Sequence, residues 1–231
     1  MINHIRAILW KSLKDTIKNK TILIQFLMFP CLTIVMENTI SIEGMPEQFF
    51  VNLFSTMYIG MAPLTSVASI ISEEKEKNTL RVLQMSNVKA FEYLVSNAIY
   101  VVTVCMLGSL VMGLAGGYKG RELLFYLLIM LVGHFTSMLV GAALGAASKN
   151  QMMATSLTVP VMMAFSFIPM LAMFNEAIMK IAKYLFTEQL YRLINDVSEL
   201  HIDTETAIIL GVNIILAFAI FAGVYRKSFG K

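Results

Sequence analysis

Residues 123–147 read LLFYLLIMLVGHFTSMLVGAALGAA and contain no Asp, Glu, Lys or Arg. A helix rises 1.5 Å per residue, so about 20 such residues cross the hydrocarbon core of a bilayer. An open strand in lipid would leave its backbone N–H and C=O groups unpaired, which a helix avoids. The sequence therefore predicts a transmembrane helix at this position.

Five further apolar runs of similar length lie on either side of this one. The whole set predicts six spans, at about 21–41, 51–71, 94–115, 122–147, 152–174 and 206–225. Composition agrees, because 57% of the residues are hydrophobic and only 14% are charged, against about 45–50% and about 25% in soluble domains. We expect an all-α polytopic membrane protein in which residues 1–231 form one transmembrane domain.

Lysine and arginine are distributed unevenly between the two sides of these spans. With the amino terminus placed in the cytoplasm, 13 of the 18 basic residues fall on the inner side and 5 on the outer side. Basic residues favour the cytoplasmic side of membrane proteins. Both termini and residues 72–93, here called the charged segment, are therefore predicted to be cytoplasmic.

Residues 1–20 form a basic, amphipathic stretch before the first span. Ile5, Leu9, Leu13 and Ile17 recur every four residues, and most lysines lie off this stripe. The pattern favours a helix lying in the membrane interface, with Trp10 as its anchor. A helix packed on a protein partner is the alternative interpretation.

Residues 175–205 are too polar to cross the membrane. Their regularly spaced apolar residues predict two short amphipathic helices on the external side, with a solvated linker as the alternative. Asp203 or Thr204 is placed to cap the last span.

Polar and small residues inside the spans suggest three further features. Gly141 and Gly145 are four residues apart and predict the close approach of another helix. His134 is expected to make a hydrogen bond between helices, with a substrate or proton site as the alternative. Glu37 is either an intramembrane functional residue or the polar end of the first span.

The charged segment reads SEEKEKNTLRVLQMSNVKAFEY. Ser72 follows the predicted end of the second span and is placed to cap a new helix. Acids at 73, 74 and 76 would then lie in its first turn, where the helix dipole favours negative charge. A solvated loop that only satisfies the positive-inside distribution is the alternative.

This stretch resembles the cytoplasmic signature of type-2 ATP-binding-cassette (ABC-2) export permeases, Ser-Glu-Glu-Lys-Glu-x-Gly-Thr-Leu-x-x-Leu-x-x-Ser-Pro-Val. Asn78 replaces the Gly but tolerates a left-handed backbone, and Asn87 replaces a Pro that is favoured but not required. The resemblance implies that the segment is the coupling helix, which docks on a separate ATPase subunit. The docking residues implied are Glu73, Glu74, Lys75, Glu76, Thr79, Leu80, Arg81, Leu83, Ser86, Val88 and Glu92.

The resemblance also implies a function. The chain would be the permease of an ATP-driven exporter of amphiphilic peptides, toxins or drugs, in a bacterial-type plasma membrane. Its partners would be the ATPase, a second permease copy or paralogue, and the lipid bilayer, with no nucleic acid. The chain lacks Gly-x-x-x-x-Gly-Lys-Ser/Thr, so ATP and Mg are expected on the partner subunit, and neither a cofactor nor a metal on this chain.

Two other classes of function stay open from the sequence. A transporter or channel that runs without ATP would need intramembrane charges, which are scarce here. A toxin-immunity or sensor protein of the membrane is the second class. An intramembrane protease would need a Ser and a His facing each other inside the membrane, or two Asp. His134 is the only histidine clearly within a predicted span, and no Asp lies in one, so we do not expect the chain to be an enzyme by itself.

Overall fold

The computed structural model describes most of the chain, namely residues 2–40, 44, 46–79, 85, 90–199 and 201–229. In that part the regular structure is all helical, which confirms the predicted fold class. Nine helices follow one another there: α1 (Ile2–Lys18), α2 (Lys20–Thr39), α3 (Phe49–Glu76), α4 (Ala90–Ala115), α5 (Gly120–Ala147), α6 (Gln151–Ala172), α7 (Glu176–Ala182), α8 (Phe186–Asn195) and α9 (Thr204–Phe229).

Within the described ranges, six helices are long and apolar enough to cross a membrane, as the sequence predicts. They are α2, α3, α4, α5, α6 and α9, and the apolar parts cover Ile22–Thr39, Phe49–Glu76, Glu92–Ala115, Gly120–Ala147, Gln151–Ala172 and Thr204–Ser228. The protein is therefore a multi-pass membrane protein.

Helix α3 lies at the centre of the bundle. It packs against α2, α4, α5, α6 and α8, and 83% of its span is buried, against 6% of the span of α9. Lipid tails are as apolar as leucine, so an exposed apolar helix face is stable in a bilayer. The exposed residues of α9 therefore suit contact with lipid or with another membrane helix.

Small residues allow the neighbours of α3 to approach it closely. A Cβ atom added to Gly145 of α5 would lie 2.9 Å from the Cα atom of Ala68. On α6, the Ser166 hydroxyl donates to the Met57 carbonyl at 3.1 Å. The sequence predicted a close helix approach at Gly141 and Gly145, and the structure identifies α3 as the partner.

Helix α1 packs on α4 and α2 through one face. Ile8 and Thr16 are buried on that face, whereas Trp10, Leu13 and Ile17 are exposed. The Lys14 ammonium lies 5.0 Å from the centroid of the Trp10 ring. An exposed apolar stripe bordered by lysines suits the membrane interface, and the interfacial position of α1 stays a prediction.

The two short helices predicted between the last two spans are α7 and α8. Asn175 caps α7, since its Oδ1 accepts hydrogen bonds from the N–H groups of Ala177 and Ile178. Asp203 caps α9 by accepting from the Thr206 N–H at 3.0 Å. The hydrogen bonds from Thr206 hold the pKa of the Asp203 carboxyl below its ordinary value. The external position of α7 and α8 stays a prediction.

Candidate functional site

Helix α3 does not end where the second span was predicted to end. It continues through Ser72 to Glu76, and the buried Ser72 hydroxyl donates to the Ser69 carbonyl at 3.1 Å. The prediction that Ser72 caps a new helix is therefore wrong, because a helix that leaves the membrane does not have to stop there. The acids that follow lie in the last turn of α3, where the helix dipole disfavours negative charge.

Glu74 is stabilised there by two partners from outside the helix. Its carboxylate forms an ion pair with the Lys11 ammonium of α1 and accepts a hydrogen bond from the Thr79 hydroxyl. The Glu74 side chain is 12% exposed and that of Lys11 is 41% exposed. This half-buried pair fixes α1 against the end of α3.

Glu73 and Glu76 have partners of different kinds. Glu73 pairs with Lys77 one turn further on, and its hydrogen bond and charge raise the pKa of the Lys77 ammonium. Glu76 Oε2 accepts from the Gln151 backbone N–H at 2.9 Å, at the amino terminus of α6, where the dipole favours a carboxylate. Glu76 thereby connects α3 to α6.

Lys75 connects the same turn to α5 and α9. Its Nζ donates to the Ala146 carbonyl at 2.5 Å, close to the carboxyl end of α5, where a cation is favoured. The Ser228 hydroxyl of α9 donates to the same carbonyl at 2.9 Å. Residues 73–79 thus contact α1, α5 and α6 directly and reach α9 through Ala146.

After α3 the chain turns through Asn78, whose φ of 55° lies in the left-handed region. The sequence motif has Gly at this position, and Asn is one of the few other residues that adopt this backbone readily. The Thr79 hydroxyl closes the turn on the Glu74 carbonyl at 3.1 Å. The remaining predicted docking residues lie outside the described part of the chain: Leu80, Arg81, Leu83, Ser86 and Val88.

Glu92 lies beyond this gap, in the first turn of α4. It is 8% exposed, and its carbonyl accepts from the Ser96 hydroxyl at 2.6 Å. One turn further, Asn97 Oδ1 accepts from the Ser12 hydroxyl of α1 at 3.2 Å. Helix α1 is therefore hydrogen-bonded or ion-paired to both α3 and α4 at the same end of the bundle.

Glu37 lies at the opposite end of α3 from the charged segment. Its Oε2 accepts from the Val51 N–H at 3.2 Å, in the first turn of α3. The residue before α3, Gln48, makes no side-chain cap. Glu37 of α2 supplies that cap from a neighbouring helix and does not join the charged segment.

His134 makes the hydrogen bond between helices that the sequence favoured. Its Nε2 lies 2.8 Å from the Ser109 hydroxyl, which joins α5 to α4, and the Tyr58 ring stands edge-on to the imidazole. Serine hydrolases also use a Ser–His contact. Here both side chains are fully buried, and the contact joins two packed membrane helices, as expected of a hydrogen bond between helices.

A buried polar cluster at the far end of α3 was missed in the sequence. Asn52 Nδ2 donates to Asn195 Oδ1 of α8 at 2.8 Å, and the Tyr118 hydroxyl donates to Asn52 Oδ1 at 2.6 Å. The cluster holds α8 on α3. A buried amide inside an apolar helix is the signal that could have found it. Lys11 was also missed, and no pattern links it to Glu74, 63 positions away.

Comparison with known proteins agrees with this architecture. The family model described as ABC-2 family transporter protein matches residues 13–225, a range that includes the charged segment. No curated protein gives a match to the chain.

Proposed function

The chain belongs to the ABC-2 family of transporter proteins, and from this premise we propose that it is the permease of an ATP-driven exporter. Permeases of this family are membrane subunits that are not themselves catalytic and that work with an ATPase partner. Outward transport of amphiphilic peptides, toxins or drugs is the finer part of the proposal. It is supported by the resemblance of the charged segment to export permeases.

The observation that carries the proposal is the set of contacts around residues 73–79. This part of the charged segment is bonded to α1, α5 and α6, so a displacement applied to it reaches several membrane helices. A separate ATPase that binds ATP and Mg would supply that displacement by docking on the segment. In this arrangement Glu74 and Lys75 hold the segment on the bundle, while Glu73 and the residues beyond Thr79 are left to contact the ATPase.

We further propose that two permeases assemble with two ATPase subunits. Six spans leave little room to enclose a pathway within one chain. The spans of α6 and α9 are only 22% and 6% buried, which supports a second membrane partner. The distribution of basic residues supports a cytoplasmic position for both termini and for the charged segment.

The docking role is tested by purifying the tagged chain from its native membrane and identifying ATPase subunits bound to it. We expect Leu80→Asp and Glu73→Lys to lose the ATPase while the chain still inserts, because each changes the proposed docking surface. Glu205→Lys is the matched control, since it reverses an exposed acid in the first turn of α9.

Glu74 needs a separate design, because reversing it also breaks its ion pair with Lys11. The exchange Lys11→Glu with Glu74→Lys restores the pair and isolates any direct contact with the ATPase. Retention of the ATPase by both Leu80→Asp and Glu73→Lys would contradict the docking role. Purification without any ATPase would contradict an ATP-driven exporter and favour a channel or an immunity protein.

A further inference from the structure

A groove of about 830 Å³ lies between helices α1 and α4. Helix α1 contributes Leu9, Trp10 and Leu13 to one side. Helix α4 contributes the other side through a row that includes Ile99 and Leu107. Residues four positions apart share a helix face, so this row forms a continuous strip along the span of α4.

The groove is mostly apolar and is open to the surroundings. The Trp10 and Leu107 side chains are 60% and 59% exposed. From Ile99 to Leu107 the strip extends about 12 Å along α4, at 1.5 Å per residue. Hydrocarbon is the environment in which such a surface is stable, because no water has to be ordered around it.

Arg6 places a positive charge on this groove. Its side chain is exposed and makes no hydrogen bond or ion pair with the residues that the structure describes. A guanidinium group binds phosphate through two parallel hydrogen bonds. Trp10 lies one turn away on the same helix, and tryptophan favours the level of the lipid headgroups.

We propose that this groove binds a glycerophospholipid of the surrounding bilayer. The phosphate lies on Arg6, and an acyl chain lies along the strip from Ile99 to Leu107. Charge complementarity selects this occupant, because the groove combines the Arg6 cation with an apolar channel. A second copy that docked through the same face would bring a second cationic α1 towards Arg6. The proposal does not depend on the transport function.

The test is the binding of phosphatidylglycerol to the full-length protein in detergent micelles, measured by native mass spectrometry. We expect Arg6→Gln to weaken binding about tenfold, the loss of one charge-assisted contact, and Arg6→Lys to weaken it less. Lys18→Gln is the matched control, since it removes a charge from the same helix away from the groove. Equal affinity of the Arg6→Gln variant and the unaltered protein would overturn the proposal.

A second variant tests the apolar part of the site. Thr103 lines the groove and is exposed, so Thr103→Trp fills the groove without disturbing the packed core. We expect this variant to weaken phosphatidylglycerol binding. We also expect that inorganic phosphate does not compete with the lipid for the groove. If Thr103→Trp instead separates two copies of the chain and leaves lipid affinity unchanged, the groove holds a second copy and the proposal fails.

Discussion

At the scale of single residues, the two ends of α3 show that a carboxylate is stabilised by different partners at the amino and carboxyl ends of a helix. Glu37 meets the amino end of α3, where a free backbone N–H is available as a donor and the dipole favours negative charge. Glu74 lies at the carboxyl end, where the dipole opposes it and a cation is required. Lys11 supplies that cation from a different helix.

The contact between Ser109 and His134 gives a prediction at this scale. Ser109→Ala leaves the buried imidazole without its hydrogen bond, and we expect a loss of about 1 kcal/mol in the free energy of unfolding. The measurement is thermal or denaturant unfolding in a mild detergent.

A double substitution separates the hydrogen bond from packing. Replacing both partners, as in Ser109→Ala with His134→Phe, removes the donor and the acceptor together, which can be nearly neutral when shape is kept. We expect the double variant to be no less stable than Ser109→Ala alone. If the losses in the free energy of unfolding from the two substitutions simply add, the hydrogen bond between Ser109 and His134 contributes no stability of its own.

At the scale of helices, the crossing of α3 and α5 depends on glycine. A Cβ at Gly145 would lie 2.9 Å from both the Cα atom and the carbonyl oxygen of Ala68, and backbone atoms cannot move aside cheaply. We expect Gly145→Ala to destabilise the protein by about 1–3 kcal/mol, the usual range for overpacking. The change in stability is measured by thermal or denaturant unfolding in detergent.

Gly211→Ala in α9 is the matched control for this change. A Cβ there meets nothing within 4 Å, and alanine has the higher helix propensity by about 1 kcal/mol. We expect no loss of stability from it. Equal destabilisation by both variants would show that the close contact between α3 and α5 is not responsible.

Helix α8 contains a buried acid, from which we expect stability to depend on pH. Glu188 is 2% exposed, and its Oε1 accepts from Arg192 Nε at 3.1 Å. Among the described residues, its Oε2 has no hydrogen-bond partner. Burial raises the pKa of the Glu188 carboxyl above its ordinary value of 4.5, and Arg192 opposes the rise only in part.

The sign of the pH effect follows from this shift. The folded state holds the proton of Glu188 more tightly than the unfolded state, so its contribution to stability is complete below pH 4.5 and is lost as pH rises through the raised pKa. We expect Glu188→Gln to raise the melting temperature at pH 7 and to flatten its dependence on pH. The exposed Glu205→Gln is the control, and an unchanged pH profile in Glu188→Gln would contradict the assignment.

The sequence predicted the helices better than their contacts. Runs of apolar residues set the six spans, and the spacing of Gly141 and Gly145 set the side of α5 that packs closely. Ser72 was misassigned because an apolar-to-charged boundary marks where a segment leaves lipid, whereas a helix ends only where its backbone hydrogen bonds end. Lys11 and Glu74 meet through tertiary packing alone, which no local pattern encodes.

At the scale of the whole molecule, the placement of the loops on the two sides of the membrane is open to test. We expect an impermeant thiol reagent on intact cells to label Lys119→Cys, between α4 and α5, and to spare Lys149→Cys, between α5 and α6. Both side chains are exposed, and Cys31→Ala removes the exposed native thiol. Labelling of Lys149→Cys alone would reverse the predicted orientation.

Helix α3 is bound at both ends, with Asn52 joined to α8 and Glu74 joined to α1. Sliding the helix along its own axis would break these polar contacts at the same time. Pro63 lies midway between them, and a proline removes one backbone hydrogen bond from the helix interior. A bend at Pro63 would leave both sets of contacts in place, so we expect a displacement of one end of α3 to change the angle of the other end.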